Sequence, residues 1–127
     1  MITVNIDKQS SIATLVPHGA LSKDDFTSIS NTIDPYIEEN GHLSGLVIHT
    51  KDFPGWDSFG ALTAHLKFVK QHHTEIDRVA LSTDSKTGNV AESLANHFVK
   101  AEVKTFSFED VDAAKHWASE KHQAVKN

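Results

Sequence analysis

The stretch GLVIHT, residues 45–50, is a short continuous apolar run of the kind found in a strand covered on both faces. A second run of the same kind, RVALST at 78–83, lies about thirty residues on. Helical spacing fills the gap, with a helix expected from Asp57 or Ser58 to about His72. A further helix is expected from about Thr87 to His97, then a weaker strand around VKTFSF. Ser107-Phe108-Glu109-Asp110 opens a last helix, in which Val111, Ala114, Trp117 and Ala118 fall on one side.

Upstream, Ile2, Val4 and Ile6 alternate with polar residues, and SIATLVPH follows the polar DKQS as a second short strand, so an edge hairpin is expected. Ser22-Lys23-Asp24-Asp25 has the chemistry of a capped helix start, because a Ser oxygen accepts from a free terminal N–H and early acids suit the dipole. Phe26, Ile29, Ile33 and Ile37 recur at helical spacing, and Asn40-Gly41 supplies the stop. Pro35 lacks an N–H, so a bend or an early end is expected there. The resulting order, ββαβαβαβα, predicts an α/β fold: a mixed, mainly parallel sheet of four to five strands with helices packed on it.

The 127 residues contain no linker-like stretch, charge block or internal repeat, so residues 1–127 read as one domain. The absence of Cys excludes disulfide frameworks, thiolate zinc sites and Cys nucleophiles. Neither a signal-peptide core nor an apolar run of about 18–20 residues appears, which predicts a cytoplasmic protein. With 12 Lys plus Arg against 17 Asp plus Glu, the net charge of -5 argues against nucleic acid as a partner.

Three passages, DFPGWDSFGAL, AHLKFVKQHHTEIDRVALSTD and FSFEDVDAAKHWA, resemble the bacterial SpoIIAA-like family, and the likeness runs over nearly the whole chain. That family belongs to the STAS and CRAL-TRIO-like structural class. The resemblance implies a four- or five-stranded mixed sheet with helices, shared by two functional groups. One comprises anti-sigma-factor antagonists switched by phosphorylation of a Ser, the other lipid carriers with an apolar pocket.

For the switch, Asp57-Ser58-Phe59-Gly60-Ala61-Leu62 is similar to the antagonists' phosphorylated turn at the Asp, the Ser and the first Gly. A phosphate on Ser58 would meet free N–H groups and the positive end of a helix dipole. Phe59 and Leu62 depart from the small residues of that pattern and would crowd a flat kinase-facing surface. A plain helix cap by Asp57 or Ser58 explains the same residues. As a hydrolase elbow the segment fails, because Trp56 stands where a Gly is needed.

The lipid reading rests on other residues. Phe59, Leu62, Leu66 and Val69 form one apolar stripe, while Ala61, Ala64 and Phe68 form a thinner one opposite. That second stripe expects a neighbouring helix, a second subunit or an apolar pocket. Phe53 and Trp56 flank Pro54-Gly55, a turn that belongs at the surface, with Lys51 beside them. Rings and a nearby cation suit a membrane face, although Trp56 could equally fold back as a staple on its own helix.

The nine His do not form a metal motif: His72-His73 point about 100° apart on a helix, and no His-x-x-x-His pair occurs among them in the expected helices. His49, in the buried-type strand, is expected to be a core imidazole bonded to one carbonyl. The sequence therefore predicts a non-enzymatic domain without cofactor or metal that binds an apolar or lipid-like ligand. Its candidate ligand and membrane residues are Lys51, Phe53, Trp56, Phe59, Leu62 and Phe68. A peripheral association with the inner membrane face and a homodimer accompany this reading. The alternative is a phosphorylation-regulated interaction module with Ser58 as phosphoacceptor.

Overall fold

The structure, a computed structural model, describes residues 1–52, 68, 75–84 and 102–126, with side chains through Glu120 in the last helix. Five strands form one sheet: β1 (Ile2–Asp7), β2 (Ile12–Pro17), β3 (Leu43–His49), β4 (Ile76–Ser82) and β5 (Glu102–Phe106). Their spatial order is their chain order. β1 and β2 pair antiparallel as the expected edge hairpin, and β2 through β5 run parallel. Helix α1 (Lys23–Asn40) joins β2 to β3, and a 3-10 turn (Phe108–Asp110) leads into helix α2 (Val111–Lys126). The α/β fold with a mixed, mainly parallel sheet is thus observed. The helices expected at 57–72 and 87–97 lie outside the described residues, apart from Phe68, which is helical.

Sequential parallel order has a consequence for the layers. Right-handed crossovers that all step in one direction place their connections on one face of the sheet. Accordingly α1 and Phe68 share a cluster with Ala13, Leu15, Leu46, Val79 and Leu81. Residues of opposite parity, Ile12, Val47 and Ala80, face the other way and meet Ala114 and Ala118 of α2. The central strands are therefore covered on both sides, as their unbroken apolar runs require.

Helix α1 begins where the sequence places it. Ser22 Oγ accepts from the Asp25 N–H at 3.2 Å, and Asp25 returns the bond by accepting from the Ser22 N–H at 2.8 Å, a complete capping box. Gly41 ends the helix in the left-handed region at φ 86°, donating to the Ile37 carbonyl. The early end expected at Pro35 does not occur, for the helix runs on to Asn40. Pro35 and Asn31, whose carbonyl loses its usual donor, are both exposed, so water replaces the missing bond at little cost.

Helix α2 sits unusually close to β3. A Cβ on Gly45 would collide with the Ala118 side chain and stand 2.6 Å from its carbonyl oxygen. The close approach is fixed by polar contacts on both sides of it. Ser44 Oγ donates to the Ala118 carbonyl at 2.8 Å, while the Ser44 N–H donates to Ser11 Oγ and the Gly45 N–H to the Ser11 carbonyl, both at 3.2 Å. Ser11, buried and at φ 57°, holds a conformation that is rare for a non-glycine residue, and both its oxygens serve β3. On β4, Arg78 Nη1 donates to the Trp117 carbonyl at 2.8 Å and to Glu120 Oε2 at 2.7 Å, with its guanidinium 4.6 Å from the Trp117 ring centre. The Arg78 hydrogen bond holds the Glu120 carboxyl below its ordinary pKa.

Gly45→Ala should lower unfolding free energy by about 2–3 kcal/mol or more in urea titration. Adding Ala118→Gly should not restore it, because the Ala118 carbonyl remains 2.6 Å from the new methyl. Asp25 supplies a pH test. Burial raises its pKa, but the Ser22 N–H, the Met1 ammonium and the Ser22 hydroxyl outweigh that and hold it below its ordinary value. A depressed folded-state pKa gives stability that is present at neutral pH and is lost as pH falls below about 4 through the folded value. Asp25→Asn should therefore lower stability at pH 7 and flatten its decline on acidification.

Candidate functional site at the carboxyl end of the sheet

In open parallel sheets ligands gather at the carboxyl ends of the strands, where loops rather than helices are presented. Here that end comprises His49–Asp52 after β3, Ser82–Asp84 after β4, and Phe106–Phe108 after β5. Backbone bonds carry the pairing beyond the strands: the Thr50 N–H donates to the Ser82 carbonyl at 3.1 Å and the Thr83 N–H to the Phe106 carbonyl at 2.9 Å. The Lys51 carbonyl accepts twice, from the Asp84 N–H at 3.1 Å and from Thr83 Oγ1 at 3.0 Å. Thr50 Oγ1 donates to the Asp52 carbonyl at 2.9 Å. The chain leaving β3 is thereby clamped onto β4 up to Asp52, while the Lys51 residue is exposed.

A second set of contacts fixes the start of the last helix. Ser82 Oγ lies 2.9 Å from the Ser107 carbonyl, to which it donates, and Asp84 Oδ1 accepts from the Phe108 N–H at 3.0 Å. His49 Nε2 is 3.1 Å from the Phe108 carbonyl, and its ring stacks on Phe108 at 4.3 Å. The bond to a carbonyl is as expected for His49, but the ring is half-buried and not the core imidazole expected. Ser107 does not cap the backbone, its hydroxyl going instead to Asp110 Oδ2 at 2.8 Å.

Of the residues singled out in the sequence, Phe53, Trp56, Ser58, Phe59 and Leu62 lie outside the described residues, as do Ala61 and Ala64. Lys51 is exposed at the root of that segment. Phe68 is buried against Phe26 of α1, with ring centres 6.3 Å apart, and belongs to the main core cluster. Of the alternatives raised for its stripe, a neighbouring helix is the one seen at Phe68. Sequence reasoning missed Thr83 and Asp84, whose polar side chains carry no spacing signal because their partners, Lys51 after β3 and Phe108 in the 3-10 turn, are distant in sequence. Among the described residues no three His, Asp or Glu side chains gather as a metal site. No helix among them is long and apolar enough to cross a membrane.

A parallel sheet extended by an antiparallel hairpin, with α1 and Phe68 on one face and α2 on the other, defines an α/β domain. The SpoIIAA-like family model matches residues 12–119, and the chain belongs to that family. It is similar in fold to the crystal structure of an uncharacterized protein from the DUF3478 family with a SpoIIAA-like fold from Shewanella loihica PV-4. That likeness has a TM-score of 0.69 at 23% identity and covers 93% of this chain and 92% of the other. No curated protein matches the chain.

Thr83→Val should cost about 1 kcal/mol. It should also speed amide exchange at Asp84, whose N–H shares the Lys51 carbonyl with the lost hydroxyl, while exchange in α1 stays unchanged.

Proposed function

We propose that the chain is a non-enzymatic cytosolic binding domain that takes an apolar or lipid-like ligand at the carboxyl end of its sheet, needing neither cofactor nor metal. The observation that carries this reading is the clamp at Lys51, which roots the aromatic segment beside the carboxyl ends of β3 and β4. Phe53, Trp56, Phe59 and Leu62 follow this clamp in the sequence and are the residues proposed to meet the ligand, while Phe68 packs on Phe26 in the core. The exposed Lys51 is placed to meet an anionic phosphate, so the same turn can touch the inner membrane face. One small tip would bind reversibly, since firm anchoring needs more apolar area or a second signal. Replacing Phe53 and Trp56 by Ser should reduce cosedimentation with anionic vesicles; equal binding by the parent and the variant would remove the membrane part of the proposal.

Family membership gives the second reading a specific footing. Ser58 follows β3 after an Asp, as in the phosphorylated turn of the antagonists that this family resembles. A phosphorylation-controlled interaction module would use the same clamp to present Ser58 to a kinase or target. Mass spectrometry of protein from its own host separates the two. An added mass lost on denaturation supports a bound ligand. One phosphoryl group that survives denaturation and is abolished by Ser58→Ala supports the switch.

A further inference from the structure

The two edges of the sheet are treated differently by the sequence. An open strand edge offers unpaired N–H and C=O groups to any passing strand, and proteins commonly blunt it with charge, Pro or a bulge. Along β5 the charges of Glu102 and Lys104 do this. Along β1 (Ile2–Asp7) there is no Pro and the one charge is Asp7 at the end, so Ile2-Thr3-Val4-Asn5-Ile6 is left uncharged, and its pairing with β2 runs from Ile2 to Asp7 without a bulge.

The direction of its free groups follows from the ladder. The His18 N–H donates to the Met1 carbonyl at 2.8 Å, so Met1 faces His18 as a bonded pair. Antiparallel pairs alternate, which makes Thr3–Val16 and Asn5–Thr14 bonded as well and leaves Ile2, Val4 and Ile6 with their N–H and C=O groups pointing outward. Pro17, which has no N–H, falls opposite Ile2 at a position where none is required. No described residue other than those of β2 pairs with β1.

We infer that β1 is a dimerisation edge and that its occupant is β1 of a second copy, paired antiparallel about a two-fold axis at Val4. From Ile2 to Ile6 the strand is palindromic in kind: apolar, polar, apolar, polar, apolar. Centred on Val4, the pairing sets Val4 against Val4 and Ile2 against Ile6 of the second copy, and satisfies every outward backbone group of the three. Thr3 then faces Asn5 of the second copy in a non-bonded pair, where side chains approach most closely. Their apolar side chains line one face on both copies, continuous with the core cluster they already join. At the ends, Asp7 comes opposite Met1 of the second copy, with its carboxylate held in its own turn by Ser10 at 3.0 Å. A slip of one residue would set outward groups against inward ones, and a slip of two would keep only two of the three apolar pairs, so the pairing centred on Val4 is the fullest. This surface differs from the stripe ending at Phe68, which is buried inside the chain.

Sedimentation equilibrium from about 1 μM to about 1 mM tests it, with the full chain and two double variants. Thr3→Lys with Asn5→Lys puts like charges opposite each other twice across the axis and should weaken association about tenfold or more. Thr3→Lys with Asn5→Glu puts opposite charges there and should restore it. Both variants lose the same Thr3–His18 side-chain contact, so that loss cancels. A parent chain that stays monomeric, or a Lys-Lys variant that dimerises as tightly as the parent, overturns the inference. If either variant fails to fold, amide exchange of the parent decides. The outward Val4 and Ile6 amides should gain protection as concentration rises, while exchange that is the same at both ends of the range overturns the proposal.

Discussion

The approach of α2 to β3 at Gly45 and Ala118 is the constraint from which the rest of the architecture follows. A helix drawn this near the sheet leaves no room for a β carbon at Gly45 and little for side chains around it, which is why Ala80, Ala114 and Ala118 are small. Little apolar area is available in such a contact, and polar groups make up the difference. Ser44 reaches the Ala118 carbonyl, and Arg78 reaches the next carbonyl back, that of Trp117, while stacking on its ring. Buried polar groups of this kind stabilise only when matched, and each oxygen named here has its donor.

The same contact ties the edge hairpin to the carboxyl end. Ser11, at the entry to β2, uses both oxygens on β3, and β3 in turn passes its register to β4 through Leu43–Ile76 and onward to His49–Ser82. Beyond Ser82 the ladder continues as loop-to-loop bonds that hold Lys51 and the start of the last helix. The chain leaving β3 is therefore anchored by the sheet itself as far as Asp52.

Much of this was legible in the sequence, for identifiable reasons. GLVIHT and RVALST reveal buried parallel strands because a strand covered on both faces needs no polar alternation, and Ser22, Asp25 and Gly41 mark helix ends through local bonds. Of the bend or early end expected at Pro35, the early end does not occur, because the cost of the missing bond depends on whether water can reach Asn31, which is a tertiary fact. The roles of Gly45, Arg78 and Asp84 were illegible for a similar reason: each is defined by a partner on a distant element. The candidate site is divided in the same way. Residues 51–62 supply its aromatic and Ser candidates, of which Phe53 to Leu62 lie outside the described residues, whereas the clamp at Lys51 was illegible because its partners lie beyond β4.

Packing α2 mainly on β3 and β4 also sets an order of events during synthesis. Among the described residues, Val47 and Ala80 find their cover in residues 111–120, so this layer closes after most of the chain has emerged from the ribosome. Contacts so distant along the chain make closure of that layer slow. The small residues at Gly45 and Ala80 leave the waiting surface thinly apolar, which lessens its attraction for other unfinished chains.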